Sequence, residues 1–210
     1  MLKTISHFFH GSRVSDGSDA KIGHAEGDGV TLHVQLRVLD RDPYLCLADE
    51  RLRLISVFDD LRYDRADMDM LSGPMRRRVI AKLVPLGFQQ VSGGVLENAA
   101  LDVRMYMPKF RALGASPFDA TRDTPRRPQD YYILTPTQTA CQFIDHYPVD
   151  EAVTAIKALI VKHPINLLRV SDYLEKSGKH QIFAGAIGHL KFVQREAVEA
   201  EPLRSRRALR

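Results

Sequence analysis

The chain has 210 residues, 44% of them hydrophobic, with a formal net charge of +4 and a pI near 9.1. That length and apolar content suit one sizeable domain or two small ones, and they exclude a disordered or collagen-like chain. Two cysteines, Cys46 and Cys141, lie far apart without CxxC spacing, which excludes a disulfide framework and a zinc ribbon and fits a reducing, cytoplasmic setting.

In chain order, residues 1–27 read as a mobile N-terminal arm. Its apolar patch is interrupted by His7 and His10 and falls short of a secretory h-region, and residues 11–29 are rich in Gly, Ser and Asp with little to bury. "VTLHVQLRV" then alternates strictly, with Val30, Leu32, Val34, Leu36 and Val38 on one face, and predicts a half-buried strand. "DRDP" predicts a turn and "YLCLA" a short second strand. From Asp49, "DERLRLISVFDDLRYD" predicts a helix with Asp49 as N-cap and Leu54, Phe58 and Leu61 on one side; a strand through Leu52, Leu54 and Ser56 is the rival. "SGP" at 72–74 starts the next helix with Pro74 in its first position, and Met75, Val79, Leu83 and Leu86 form a stripe that stops at Gly87. "FQQVSGGVLEN" predicts a hairpin about Gly93 and Gly94, and "LDVRMYM" a further strand. Residues 114–130 hold three prolines and no hydrophobic period, which makes them the longest internal loop and a natural place for contacts.

The stretch "DYYILTPTQTACQFIDHYP", residues 130–148, predicts an edge strand that tolerates Pro136, then a core strand over "TQTACQFID". In a strand Cys141 and His146 point to opposite faces and cannot form a thiol–imidazole pair, while a neighbouring carboxylate such as Asp145 disfavours the thiolate. Cys141 therefore reads as a buried core residue with His146 at the rim; a catalytic Cys141 needs a distant partner, His163, His180 or His189. Three helices follow: one on Val149, Val153, Ile156 and Ile160 ended by Pro164, one over "INLLRVSDYLEKSG" closed by Gly178, and one from about Gln181 to Ala200. The last places Phe183, Ile187 and Leu190 on one face, with His189 beside them as a packing histidine.

The expected architecture is α+β: an antiparallel, strand-rich body at 28–147 with one or two packed helices, a three-helix unit at 148–200 and a basic tail at 201–210. Within that tail "RSRRALR" holds Arg204, Arg206, Arg207 and Arg210 and no acid, so it carries the whole excess charge and leaves the body near neutral. Two further basic clusters are Arg76, Arg77, Arg78 and Lys82 on the helix after Pro74, and Arg122, Arg126 and Arg127 in the long loop. All three clusters are candidate phosphate contacts, with adjacent Tyr131 and Tyr132 able to offer one stacking ring.

The sequence contains no P-loop, GxGxxG, GxSxG or HExxH, so no catalytic residue and no cofactor is assigned. The His7/His10 pair lies in the arm, and Asp59, Asp60, Asp64, Asp67 and Asp69 are interleaved with Arg62 and Arg65 as on a solvated surface; no metal site is assigned either. These readings converge on a non-catalytic interaction protein or small subunit of a larger assembly, which contacts a protein partner through the 114–130 loop and the Arg-rich tail and does not enter a membrane. The alternatives are a nucleic-acid-binding protein using the basic clusters, and an enzyme using Cys141 or the aspartate cluster as a metal site.

Overall fold

The computed structural model describes residues 32–60, 71–108, 121 and 124–200. Six short strands, β1 (Leu45–Asp49), β2 (Leu54–Val57), β3 (Gln89–Ser92), β4 (Val95–Asn98), β5 (Val103–Tyr106) and β6 (Tyr131–Leu134), form one sheet in the spatial order β1-β2-β6-β5-β4-β3. The class is α+β, as the pattern predicts. The sheet itself is mixed instead of antiparallel, because β6 pairs parallel with both of its neighbours, with Leu54 opposite Tyr132 and Met105 opposite Tyr131. A parallel neighbour needs a crossover, and the chain supplies one from α2 (Gly73–Leu83) and the β3–β4–β5 meander.

Both faces of the sheet are covered. On one, Ile55, Val57, Met105, Tyr131 and Ile133 pack with α2 and with a short helix at 32–36 (α1) that runs into the 3₁₀ turn Arg37–Arg41. On the other, Cys46, Leu54, Tyr132 and Leu134 pack with α3 (Pro136–His146), α4 (Val149–Lys162), α5 (Leu167–Lys176) and α6 (His180–Ala200). All four residues of β2 and of β6 are therefore buried, which explains why neither alternates apolar with polar and why only Ser56 interrupts their apolar runs.

Several elements match the sequence reading. Ser72 caps α2 by accepting from the Met75 N–H at 3.3 Å, Pro74 sits in the first turn, and Met75, Val79 and Leu83 are buried. The helix tightens into a 3₁₀ turn and stops at Gly87, whose φ of +84° is left-handed and where an added Cβ would lie 2.8 Å from Asn98 Nδ2. The β3–β4 hairpin, β5 and helices α4 to α6 also fall where predicted, with Gly178 at φ +70° behind α5.

Four expectations are corrected. The strand expected over 30–38 is helical from residue 32 onward: Leu32, Leu36 and Leu39 stand at i, i+4 and i+7 and are buried, while the alternating partners Val34 and Val38 are exposed. The helix expected from Asp49 is the β1–β2 hairpin, and the rival strand is the one formed. Asp49 does accept a main-chain N–H three residues on, from Leu52 at 2.6 Å, but it closes a turn and not a helix.

The core strand expected over 137–145 is α3. Thr135 and Gln138 form a reciprocal capping box and Pro136 occupies the first turn. The edge strand expected before it is β6, at the centre of the sheet, with both Tyr131 and Tyr132 buried. Cys141 is buried and His146 exposed, as anticipated, although on a helix. The arm at 1–27, most of the 114–130 loop and the 201–210 tail lie outside the described residues.

Candidate functional site

Because β2, β5 and β6 run the same way, the turns that lead into them meet at one end of the sheet. Two non-glycine residues there adopt left-handed backbone, Arg53 before β2 at φ +51° and Asp102 before β5 at φ +50°. That conformation is uncommon outside glycine and needs support from its surroundings. Adjacent arginines supply it. Arg126 Nη1 donates to the Arg53 carbonyl at 3.1 Å and to the Asp130 carbonyl at 2.5 Å, and Nη2 donates to the Leu52 carbonyl. Arg127 donates to the Asp102 carboxylate at 2.9 and 3.0 Å and to the Asp102 carbonyl at 2.9 Å.

Between them Asp130, fully buried, accepts from the main-chain N–H groups of Arg104 and Arg127 and from the Arg127 guanidinium. Burial alone would raise its carboxyl pKa, but the Arg127 side chain and the two N–H groups outweigh burial and hold it below the ordinary range.

Arg126 also walls a pocket of about 220 Å³ with Leu52, Thr121, Tyr132, Gln142 and His146. Its guanidinium carbon lies 4.5 Å from the Tyr132 ring centroid, a cation–π contact. Burial first, and the nearby Arg53 second, lower the Arg126 pKa, so the charge is partly desolvated. From α3, Gln142 Nε2 donates to Thr121 Oγ1 at 3.2 Å, and His146 Nδ1 donates to the Gln142 carbonyl at 2.9 Å. A main-chain carbonyl can only accept, so the proton on Nδ1 is fixed and the neutral ring offers Nε2 as an acceptor. Of this group the sequence marked out Arg126, as one of a basic cluster, and Tyr132, as a candidate stacking ring; Gln142 and His146 point into the pocket because the segment is a helix, on which they lie four residues apart.

The opposite end of the same strands carries a second polar cluster. The chain leaves β2 toward α2 on one face and β6 toward α3 on the other, so the carboxyl ends of this parallel pair form a switch point of the fold. Ser56 Oγ lies 2.9 Å from His163 Nδ1, with Cys46 Sγ at 3.8 Å from the same nitrogen and the Phe58 ring stacked at 6.0 Å. Asp59 accepts from the Ser72 N–H, and Thr137 Oγ1 accepts from the Asn166 N–H at 3.0 Å. All of these residues are buried, and burial, then the Asp40 charge, push the Cys46 thiol up to about 12. A thiol held protonated in this way serves the packing and is no nucleophile near neutral pH. The contact joins residues 117 apart in the chain, so no local signal announces it.

The basic residues singled out from the sequence are placed as follows. Arg78 and Lys82 converge on buried Asp42 at 2.8 and 3.2 Å, and Arg78 lies over the Tyr44 ring at 4.9 Å. Arg76 donates to the Gly93 carbonyl at 2.7 Å and Arg77 is exposed. Asp42 precedes β1, whose first residue faces the last of β2, whereas Arg126 and Arg127 sit before the first residues of β2 and β6. The α2 cluster and the loop cluster are thus anchored at opposite ends of β2. His189 is exposed on α6 instead of packed. Arg122, Arg204, Arg206, Arg207, Arg210, His7, His10 and the aspartates at 64, 67 and 69 lie outside the described residues, among which no three His, Cys, Asp or Glu side chains gather as a metal site.

What the fold defines is an α+β protein on a six-stranded mixed sheet, and no helix among its described residues is long and apolar enough to cross a membrane. No protein-family model, no curated protein and no solved structure matches the chain.

Proposed function

We propose that the protein is a non-catalytic, cytoplasmic interaction protein, a subunit that docks on a protein partner with an acidic surface. The observation that supports this reading is the outer face of α6. Phe183, Ile187 and Leu190 bury its inner side, yet Ile182 and Phe192 stand 63% and 58% exposed. Gly185 and Gly188 lie between them on the same outer side, with open space around both. An aliphatic and an aromatic anchor flanking a shallow notch is the kind of patch that a partner covers. The run "RSRRALR" begins four residues after α6 ends at Ala200, so the apolar face is followed closely in sequence by four positive charges, and an acidic partner complements both. The loop at 114–130 adds a further contact in this reading.

The test is co-purification from the source cells with Ile182→Asp/Phe192→Asp and with a chain lacking residues 201–210. A stoichiometric partner should co-elute with the native chain at low salt, weaken as salt rises, and be lost from both variants without a change in melting temperature. A chain that elutes alone at low salt, or variants that retain the same partner, would remove the proposal.

A further inference from the structure

We propose that the pocket at the amino end of β2 and β6 is a binding site for a small carboxylate that also carries a hydroxyl group. The inference is independent of the docking face on α6.

Arg126 has five N–H donors. Nη1 uses both of its own, on the carbonyls of Arg53 and Asp130, and Nη2 uses one, on the carbonyl of Leu52. One Nη2–H and the Nε–H remain, and Nη2 and Nε share the side edge of the guanidinium, the fork that matches the two oxygens of a carboxylate. All three contacts that hold the group are to neutral carbonyls, and among the described residues no carboxylate lies within ion-pair distance of it. By contrast Arg127, its neighbour, is matched to both Asp102 and Asp130. Arg126 is thus a positioned, partly desolvated cation without its own counter-ion among the described residues, in a setting where a charge-assisted hydrogen bond is strong.

The rest of the lining narrows the ligand. Gln142, more than nine-tenths buried, spends one N–H on Thr121 and retains its other N–H and its carbonyl oxygen. His146 Nε2 is an acceptor in the neutral ring, because Nδ1 donates to the Gln142 carbonyl. A hydroxyl on the ligand would give its proton to Nε2 and accept from the Gln142 amide, while Leu52 covers the apolar side. At about 220 Å³ the space is below the roughly 300–1,000 Å³ of drug-sized sites, which limits the ligand to a few carbons. The arrangement favours planar carboxylate over phosphate, since only one two-pronged edge is offered and no helix N-terminus among the described residues borders the pocket.

The probe is glycolate, with acetate, glycolamide and inorganic phosphate as comparators, read by the Arg126 Nε–H resonance in an NMR titration of the whole chain. Glycolate should shift that resonance with an affinity of the order of 1 mM, acetate should bind about tenfold more weakly, and glycolamide and phosphate should leave it in place. Arg126 also holds two turns, so its own replacement risks the fold. Gln142→Leu and His146→Phe, which leave those contacts intact, should each weaken glycolate about tenfold at unchanged melting temperature. An unmoved resonance at about 50 mM glycolate, an equal response to phosphate, or full affinity in both variants would overturn the proposal.

Discussion

Asp42 and Asp130 are carboxylates that the fold buries against cations, and their titration has a definite sign. For each, burial favours the neutral acid but the hydrogen bonds prevail. Asp42 is held low by the Tyr44 N–H, Arg78 and Lys82, and Asp130 by Arg127 and two main-chain N–H groups. A carboxyl whose folded pKa lies below its unfolded value of about 3.9 contributes stability in full above that value, and loses it as pH falls through the folded pKa. Stability should therefore drop below about pH 4. Asp130→Asn should cost about 3 kcal/mol at pH 7, because the substitution leaves four donors facing an uncharged amide. Its urea midpoint should also change less than that of the native chain between pH 7 and pH 3, and an equal acid dependence in both proteins would refute this account of Asp130.

At the scale of elements, α3 depends on its first turn. Thr135 and Gln138 satisfy each other's main-chain N–H in a buried setting where water does not compete, and Thr135→Ala should cost about 1–2 kcal/mol in urea unfolding, against little for an exposed threonine such as Thr154. That same turn shows where sequence reasoning stopped short. "TPTQ" carries the helix-start signal, but residues 136–144 are buried throughout, Thr137, Gln138, Thr139 and Gln142 included, so polarity does not mark a wet face and the stretch shows no helical period that would set it apart from a strand. β2 failed in the opposite direction, since four consecutive buried residues in a central strand lack the alternation that would have separated them from the helix expected there. At 32–38 two periods coexist, and the leucines alone carry the one that the core uses. Helices α4 to α6 were legible because each keeps a wet side. The pocket was not, for the six lining residues among those described come from five separate places between 52 and 146 and meet only once α3 lies across the sheet.

The whole molecule is two apolar cores with one sheet between them, and neither core closes without β2 and β6. Cys46 and Cys141 both belong to or border the helical side and are buried. Neither should react with a thiol reagent at pH 8 in the native state, while both should react in denaturant. Since β1, β2, β5 and β6 each send side chains into both cores, thiol exposure and loss of far-UV circular dichroism should share one urea midpoint. Labelling of Cys46 well before the helical signal falls would show that the two sides open separately.

The central position of β6 has a consequence for how the chain is made. A ribosome delivers the β1–β2 hairpin and then the β3–β4–β5 meander, yet the strand that joins them is the last of the six to emerge. Until residue 134 is available, β2 and β5 each present a row of unpaired main-chain groups on apolar strands, a form prone to pairing with the wrong chain. A nascent polypeptide halted just before β6 is thus the stage at which this protein most needs a chaperone, and synthesis of β6 turns two open edges into the middle of a sheet.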